Sequence, residues 1–478
     1  MSDAHGSDAP LMVSVSGLRG IVGASLTDDV IRRYAHAFAA DLRERTHAAQ
    51  PVVVLGRDGR AGGQPIHAVA ATALIAEGCR VIDIGVATTP SVGVMVLHKR
   101  AQGGLVVTAS HNPAHWNGLK PITSEGAAPS PQEARRLIER FHATAVMAAT
   151  GRGGMPESEP SAADIHVSKV LKACEKLLGF DAIRSRRPKV VLDSVNASGR
   201  IGGRLLLQAL GCELVHINAD ETGHFPHNPE PLAENLTGLC DEVRRHKAEI
   251  GFAQDPDADR LAIVDEHGTF IGEEYTLALA AMSLLSGLPT NTAWSMPRRS
   301  LAANLSTSRM IDDVAARHGA DVVRTPVGEA NVVAGMRRAG AILGGEGNGG
   351  VIWPSVVPIR DSLVAMALVL TLMARTGRKL SELVAQIPTY AIEKRKLSLN
   401  DASVVAAAQS AVLREFGSAR IDTQDGIRAD LDVPGGAGWV HARASNTEPI
   451  FRLIAEAPTR EAAAALLDRA QAAINGRS

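Results

Sequence analysis

Three carboxylates at alternate positions, Asp255, Asp257 and Asp259, lie between two apolar runs, IGFAQ and LAIV. If the loop curls, they converge on one hard cation, and Mg²⁺ prefers a few carboxylates plus a phosphate oxygen. Without a counter-ion their charges repel one another. Arg260 follows directly. A second loop, Thr108-Ala109-Ser110-His111-Asn112-Pro113, delivers a hydroxyl at the end of another apolar run. Pro113 biases Asn112 away from helix, so the turn is pre-shaped. Ser110 becomes a nucleophile if its surroundings lower the cost of the alkoxide; otherwise this is a polar turn.

A third loop, Gly344-Gly345-Glu346-Gly347-Asn348-Gly349-Gly350, sets one carboxylate and one amide among glycines. Glycine lets backbone approach a ligand, and Glu346 and Asn348 can address vicinal sugar hydroxyls. Alone, it is equally a flexible turn. A fourth, Arg443-Ala444-Ser445-Asn446-Thr447-Glu448-Pro449, offers a guanidinium, hydroxyls, an amide and backbone N–H groups. That set suits a phosphate dianion and also suits a polar hairpin turn. Arg19 sits between glycines near the start, and Lys120 follows the Ser110 loop closely.

Each loop follows or interrupts a strand-like run, where open α/β sheets bind ligands. Strands are expected at 51–55, 81–84 and 104–108, with helices between, the alternation of an α/β layer architecture. The stretch 143–163, rich in Gly, Pro and Ser, reads as a linker. The alternation restarts with strands at 190–192, 213–217 and 250–253, and again with strands at 321–324 and 341–343. The last 90 or so residues change character, with hairpin-like strands around 439–443 and 450–455 and helices near 402–416 and 459–474. This gives three α/β units and one α+β unit, at 1–155, 156–272, 273–388 and 389–478, without a residue-level repeat between them.

Lys plus Arg number 50 against 51 Asp plus Glu in 478 residues. That balance lacks the basic excess of a nucleic-acid footprint. Cys79, Cys174, Cys212 and Cys240 are too scattered for a zinc site and read as buried free thiols of a reducing compartment. The polar start lacks a signal peptide, and the longest apolar run, 363–374, reads as a buried helix too short for a bilayer. A cytoplasmic protein without membrane or nucleic-acid partners is expected.

Taken together, Ser-His-Asn-Pro, Asp-x-Asp-x-Asp-Arg, Gly-Glu-x-x-Gly and Arg-x-Ser-x-Thr, in that order over about residues 14–452, resemble the α-D-phosphohexomutase superfamily. The resemblance implies four domains around one deep cleft, each giving one loop. It implies a phosphorylated Ser110 that completes a Mg²⁺ site made by Asp255, Asp257 and Asp259. It places Glu346 on the sugar hydroxyls and Arg443, Ser445, Asn446 and Thr447 on the phosphate that stays put. Arg19 and Lys120 match basic residues near the transferred phosphoryl, and Arg260 adds positive charge there. The expected reaction interconverts hexose 6-phosphate and hexose 1-phosphate through a bisphosphosugar, with hexose bisphosphate as activator, in a monomer or homodimer.

Two departures bear on the sugar. Many bacterial relatives carry Ser at the position of Asn348 and His at that of Gly350. In Thr325-Pro326-Val327-Gly328-Glu329, Glu329 stands where some relatives have His. A carboxylate there can act as a base or hold an amino group, which favours glucosamine phosphate; Arg-Ala-Ser-Asn-Thr instead resembles phosphomannomutase/phosphoglucomutase members. The expectation is phosphoglucosamine mutase, with phosphomannomutase/phosphoglucomutase as the alternative. Rival readings are a metal-dependent phosphatase using an Asp nucleophile, and a non-catalytic sugar-phosphate binder.

Overall fold

The computed structural model describes residues 10–144, 154–177, 179–288, 299–398, 402–445 and 450–476. Three of its four sheets repeat one arrangement. In the second unit the spatial order is Glu213–Ile217, Lys189–Asp193, Ile250–Gln254, Leu261–Val264. The first three strands are parallel and the fourth returns antiparallel beside the third. The third unit has the same order, with Ala320–Thr325, Arg299–Asn304 and Leu343–Glu346 parallel and Gly350–Ile352 antiparallel. The first unit repeats it with Arg80–Val86, Val52–Arg57, Gly103–Val107 and Trp116–Thr123. Its sheet is widened to seven strands by Gly17–Ile21 and Leu11–Ser14 on one side and Glu157–Ser158 on the other.

Glu157–Ser158 corrects two expectations. It lies past the expected boundary at 155 yet pairs with Ile82 and Asp83, so the first sheet extends into the next segment. The stretch read as a linker thus carries a strand, and the helix Ala162–Leu177 begins within it. The strand expected at 341–343 instead runs Leu343–Glu346, so half of the glycine loop is sheet. The packing explains this: a Cβ on Gly345 would stand 2.2 Å from the carbonyl oxygen of Gly350. Only a bare backbone closes so tight a hairpin.

The apolar run near 363–374 forms the helix Ser362–Thr376. Asp361 caps it, accepting from the N–H groups of Leu363 (2.9 Å) and Val364 (3.4 Å), and Gly377 ends it in the left-handed region. Residues 362–373 are buried on every side, so the helix is apolar all round. It packs on the helices Glu273–Gly287, Ala162–Leu177 and Gly199–Ala209, inside one core shared by the first three units. The first unit keeps a second core on the other face of its sheet, under the helices Asp28–Thr46 and Gly63–Ala76. Cys79 and Cys174 are buried as expected, whereas Cys212 and Cys240 are half-buried; all four are free. No helix among the described residues is long and apolar enough to cross a membrane.

The last unit is a five-stranded antiparallel sheet with the helices Ala402–Glu415 and Arg460–Ile474 over a core of its own. It meets the third unit through polar contacts. His441 Nδ1 pairs with Ser306 Oγ (2.9 Å), and Glu456 accepts from the N–H of Arg309 (3.0 Å). Asp425 accepts from the N–H of Val327 (2.9 Å), and Arg428 donates to the carbonyl of Leu305.

His441 is fully buried in this seam, and burial brings its pKa down to about 4 from 6.5. Between those values the unfolded chain binds a proton that the native seam refuses, so stability falls as pH drops from about 6.5 to about 4. Burial of His216 acts in the same direction and window. A His441→Gln variant, followed by denaturant unfolding across this range, is expected to show a shallower pH slope than the parent; equal slopes would show that His441 is not held neutral.

Candidate active site

Three of the four chemistry-bearing loops occupy the same place in the repeated sheet, the turn from the third parallel strand into the antiparallel fourth. In the first unit this turn follows Gly103–Val107 and holds Ser110. The serine backbone is left-handed (φ 49°), an unfavourable state for a residue with a Cβ, and the surroundings enforce it. Its N–H donates to Thr108 Oγ1 (2.8 Å), and its carbonyl accepts from Arg60. Arg60 is fully buried, bonded to Asp58 Oδ2 (2.7 Å) and to the carbonyl of Trp116 (2.8 Å). Thr108 Oγ1 donates to the same Asp58 oxygen (2.7 Å), closing the bracket.

The second unit's turn holds the acidic trio. Ala258 turns left-handed (φ 52°), and its carbonyl is fixed by the hydroxyl of Ser362 (2.8 Å). Asp255, Asp257 and Asp259 are each fully buried, with one ligand oxygen apiece lying within 4.8 Å of the others. Ser110 Oγ donates to Asp255 Oδ2 (3.0 Å), which joins the two loops. Thr89 Oγ1 donates to Asp257 Oδ2 (2.7 Å). Lys120 Nζ reaches Asp257 Oδ2 (3.3 Å) and Asp259 Oδ2 (2.8 Å).

Oδ1 of Asp257 and Oδ1 of Asp259 are buried with no hydrogen-bond partner among the described residues. Orphaned carboxylate oxygens this deep are rare without an ion, and an all-oxygen set of three carboxylates suits a hard divalent cation. The electrostatics agree. Burial, with Asp257 and Asp259 alongside, pushes the Asp255 carboxyl well above its ordinary range. Burial also works to raise Asp259, but Arg360, Lys120 and Arg260 outweigh it and hold that carboxyl far down.

The third unit's turn carries Glu346 as the last residue of its strand. Glu346 Oε1 accepts from Asn304 Nδ2 (2.9 Å) and the N–H of Gly328 (3.2 Å), and Oε2 accepts from Arg360 Nη1 (2.5 Å). Asn348 is half-buried and its Oδ1 accepts from the N–H of Gly350 (3.3 Å). Glu329 is buried, and its Oε1 accepts from the N–H of Arg360 (2.7 Å). Burial raises its pKa, partly offset by Arg360 and Lys120.

Around Ser110, Arg19 Nη1 donates to Asn112 Oδ1 (2.8 Å), and Arg260 Nε lies 3.8 Å from Asp259 Oδ1. His111 Nδ1 is 3.4 Å from Ser110 Oγ. Arg260, burial and Arg19 hold that imidazole well below its ordinary pKa, so it is neutral. In the fourth loop, Arg443 is buried at the end of the strand Gly436–Ala444. Its Nε donates to Asp425 Oδ2 (2.8 Å), while Nη2 is buried without a partner among the described residues. The N–H of Ser445 donates to the carbonyl of Ile450 (2.8 Å). Asn446 and Thr447 lie outside the described residues.

The structure therefore brings Ser110, Asp255, Asp257, Asp259, Lys120 and Arg260 together, and ties Glu346 and Glu329 to them through Arg360. Sequence reasoning missed Arg360, the Asp58–Arg60 bracket, Thr89 and Asp425. Asp58-Gly59-Arg60 follows directly on the strand Val52–Arg57, a position that signals a site in an α/β sheet. Arg360 and Asp425 carry no such local mark.

Comparison with known proteins agrees with this layout. Models of phosphoglucomutase/phosphomannomutase alpha/beta/alpha domains I, II and III match residues 11–146, 166–268 and 273–390, and the C-terminal domain model of that family matches 394–473. A phosphoglucomutase/phosphomannomutase of Thermococcus kodakarensis is 36% identical over 457 residues, 95% of this chain and 96% of the relative. A probable phosphoglucosamine mutase of Methanopyrus kandleri is 34% identical over 457 residues, 95% of each chain. The crystal structure of a phosphoglucomutase/phosphomannomutase family protein from Burkholderia thailandensis superposes with a TM-score of 0.80 at 28% identity, covering 98% of this chain and 97% of that one.

A cation that binds only the folded trio raises thermal stability by mass action, by about 2.7 kcal/mol at a hundredfold excess over its Kd. Adding Mg²⁺ to chelator-treated protein is expected to raise Tm, and Asp257→Asn is expected to remove most of that rise. An equal Mg²⁺ shift in the variant would show that the cation binds elsewhere.

Proposed function

The chain belongs to the phosphoglucomutase/phosphomannomutase family of the α-D-phosphohexomutase superfamily, and from that premise we propose that it interconverts hexose 6-phosphate and hexose 1-phosphate through a phosphorylated Ser110. The observation that carries the proposal is the contact of Ser110 Oγ with the buried acidic trio, made from a strained, fully bracketed backbone. Such a serine is set in place before any substrate arrives.

Asp255, Asp257 and Asp259 would hold Mg²⁺, with the phosphate on Ser110 completing the site. When bound, Mg²⁺ neutralises charge on the transferring phosphoryl group, which needs positioning and charge compensation more than covalent help. Arg19, Lys120 and Arg260 add positive charge around the same atoms. Glu346 reads the sugar hydroxyls, with Asn348 beside it. Arg443, with Ser445, Asn446 and Thr447, grips the phosphate that stays put, and the buried, unpartnered Nη2 of Arg443 is placed for it. The Ser110 phosphoryl passes to a free hydroxyl of the sugar monophosphate. The bisphosphosugar then reorients, and its other phosphoryl returns to Ser110 Oγ. On each transfer the proton of the accepting hydroxyl ends on the oxygen that releases the phosphoryl group, so Ser110 Oγ gains a proton when it donates and gives it up to the sugar oxygen on the return. A trace of hexose bisphosphate would first load Ser110.

For the sugar, glucosamine 6-phosphate is the first reading, supported by the 34% identity to a probable phosphoglucosamine mutase. One observation favours glucose or mannose phosphates instead. Glu329, the carboxylate placed to bind an amino group, has its Oε1 committed to the N–H of Arg360.

³¹P NMR of the protein with Mg²⁺ and a trace of hexose bisphosphate decides between the readings. Glucosamine 6-phosphate, glucose 1-phosphate and mannose 1-phosphate are each expected to be tested, and at least one to yield the isomeric phosphomonoester without free phosphate. Ser110→Ala is expected to lower the rate by at least about 10³-fold. Near-normal turnover in that variant ends the phosphoserine mechanism. Accumulation of inorganic phosphate alone identifies a phosphatase, and binding without conversion identifies a non-catalytic binder.

A further inference from the structure

Three buried carboxylates of the site converge on Arg360. Its Nη2 donates to Asp259 Oδ2 (2.6 Å), its Nη1 to Glu346 Oε2 (2.5 Å) and its backbone N–H to Glu329 Oε1 (2.7 Å). The residue is 8% exposed, and its Nε is buried without a hydrogen-bond partner among the described residues, 3.9 Å from Glu329 Oε2. The chain on its C-terminal side is pinned: Asp361 Oδ2 pairs with His166 Nε2 (2.7 Å), and Ser362 Oγ donates to the carbonyl of Ala258 (2.8 Å). A planar guanidinium fork holds two carboxylates at a fixed separation and angle, which the point charge of an ammonium does not reproduce.

Gly350 makes room for it. A Cβ at that position would stand 2.2 Å from Arg360 Cδ and 2.9 Å from its Cγ, with Asn348 Oδ1 next at 3.1 Å. Gly350 is not among the residues with positive φ, so its backbone would accept alanine. The side chain of Arg360, rather than the turn, is what requires a glycine there.

We propose that Arg360 is a positioning residue that sets Glu346 for the sugar while its charge, seated on Asp259 Oδ2, opposes a divalent cation at the trio, so that metal binding and sugar-phosphate binding are linked through one guanidinium. This rests on the phosphosugar mutase reading of the site. Without Arg360, Asp259 keeps Lys120 as its close partner, and the trio loses a neighbouring positive charge. A divalent cation then binds more tightly. Glu346 meanwhile keeps only the Asn304 amide and the Gly328 N–H, and its hold on the sugar loosens. The two effects have opposite signs, which a loosened fold does not produce.

The test uses the full chain with Arg360→Met, Arg360→Lys, Gly350→Ala and the Gly350→Ala/Arg360→Met double variant. Mn²⁺ binding without sugar is read by electron paramagnetic resonance, and hexose phosphate by KM and kcat. Arg360→Met is expected to tighten Mn²⁺ by about fivefold and to raise KM by about tenfold. Arg360→Lys is expected to keep Mn²⁺ affinity near the parent while still raising KM. Gly350→Ala is expected to raise KM on its own, and the double variant to be no worse than Arg360→Met. Unchanged Mn²⁺ affinity in Arg360→Met, weakening of both ligands together, or additive effects in the double variant would overturn the proposal. If the parent isomerises no hexose phosphate, the functional reading falls, and the Mn²⁺ titration still decides whether the charge of Arg360 opposes the cation.

Discussion

Five carboxylates, Asp255, Asp257, Asp259, Glu329 and Glu346, are buried in one connected cluster, and the rest of the molecule is arranged to make that possible. Unpaired buried charge is expensive, and like charges at this spacing repel. Lys120 and Arg360 answer part of the charge directly, and Arg260 answers more from the rim. The remaining deficit shows as two orphaned oxygens and as an Asp255 whose carboxyl is pushed up. A divalent cation would remove that deficit. The cluster thus suits a divalent cation, with the nucleophile candidate Ser110 hydrogen-bonded to its edge.

Holding such a cluster needs rigid surroundings, and the fold supplies them by using one solution three times. Each α/β unit turns from a third parallel strand into an antiparallel fourth, and each turn carries one loop of the candidate site. The three sheets are locked by a shared apolar core around the buried helix Ser362–Thr376. The residues just before that helix stitch the units together. Arg360 reaches the second and third loops, Asp361 pairs with His166, which also meets Ser91 of the first unit, and Ser362 fixes the turn of the acidic trio. A short segment therefore carries packing and site geometry at once.

The C-terminal unit is attached differently. Its core is separate, and its contacts with the third unit run through His441, Asp425, Arg428 and Glu456. A polar seam can open without exposing a large apolar surface, whereas the shared core of the other three cannot. Asp425 joins the buried Arg443 to the loop before Glu329, so the seat of this unit and the setting of the third loop involve the same carboxylate.

Much of this was legible in the sequence, because the chemistry sits in short contiguous motifs. The acidic trio, the Ser110 turn, the glycine loop and the Arg443 loop are each local, and their order identified the superfamily. Alternating apolar runs likewise gave the α/β class, and each strand read from them lies within a few residues of one in the structure, since strand and helix periods are local properties. What tertiary structure alone decided is non-local. The threefold sheet repeat shares topology without residue-level similarity, because strand order depends on pairing between distant segments. Glu157–Ser158 joins the first sheet by pairing with Arg80–Val86, about 75 residues earlier. Arg360 became central because folding sets it against Asp259 and Glu346, 101 and 14 residues away. A motif reveals the residues that must act together only when they are neighbours in the chain; charge compensation acts through space, and only the fold determines which distant cation meets which carboxylate.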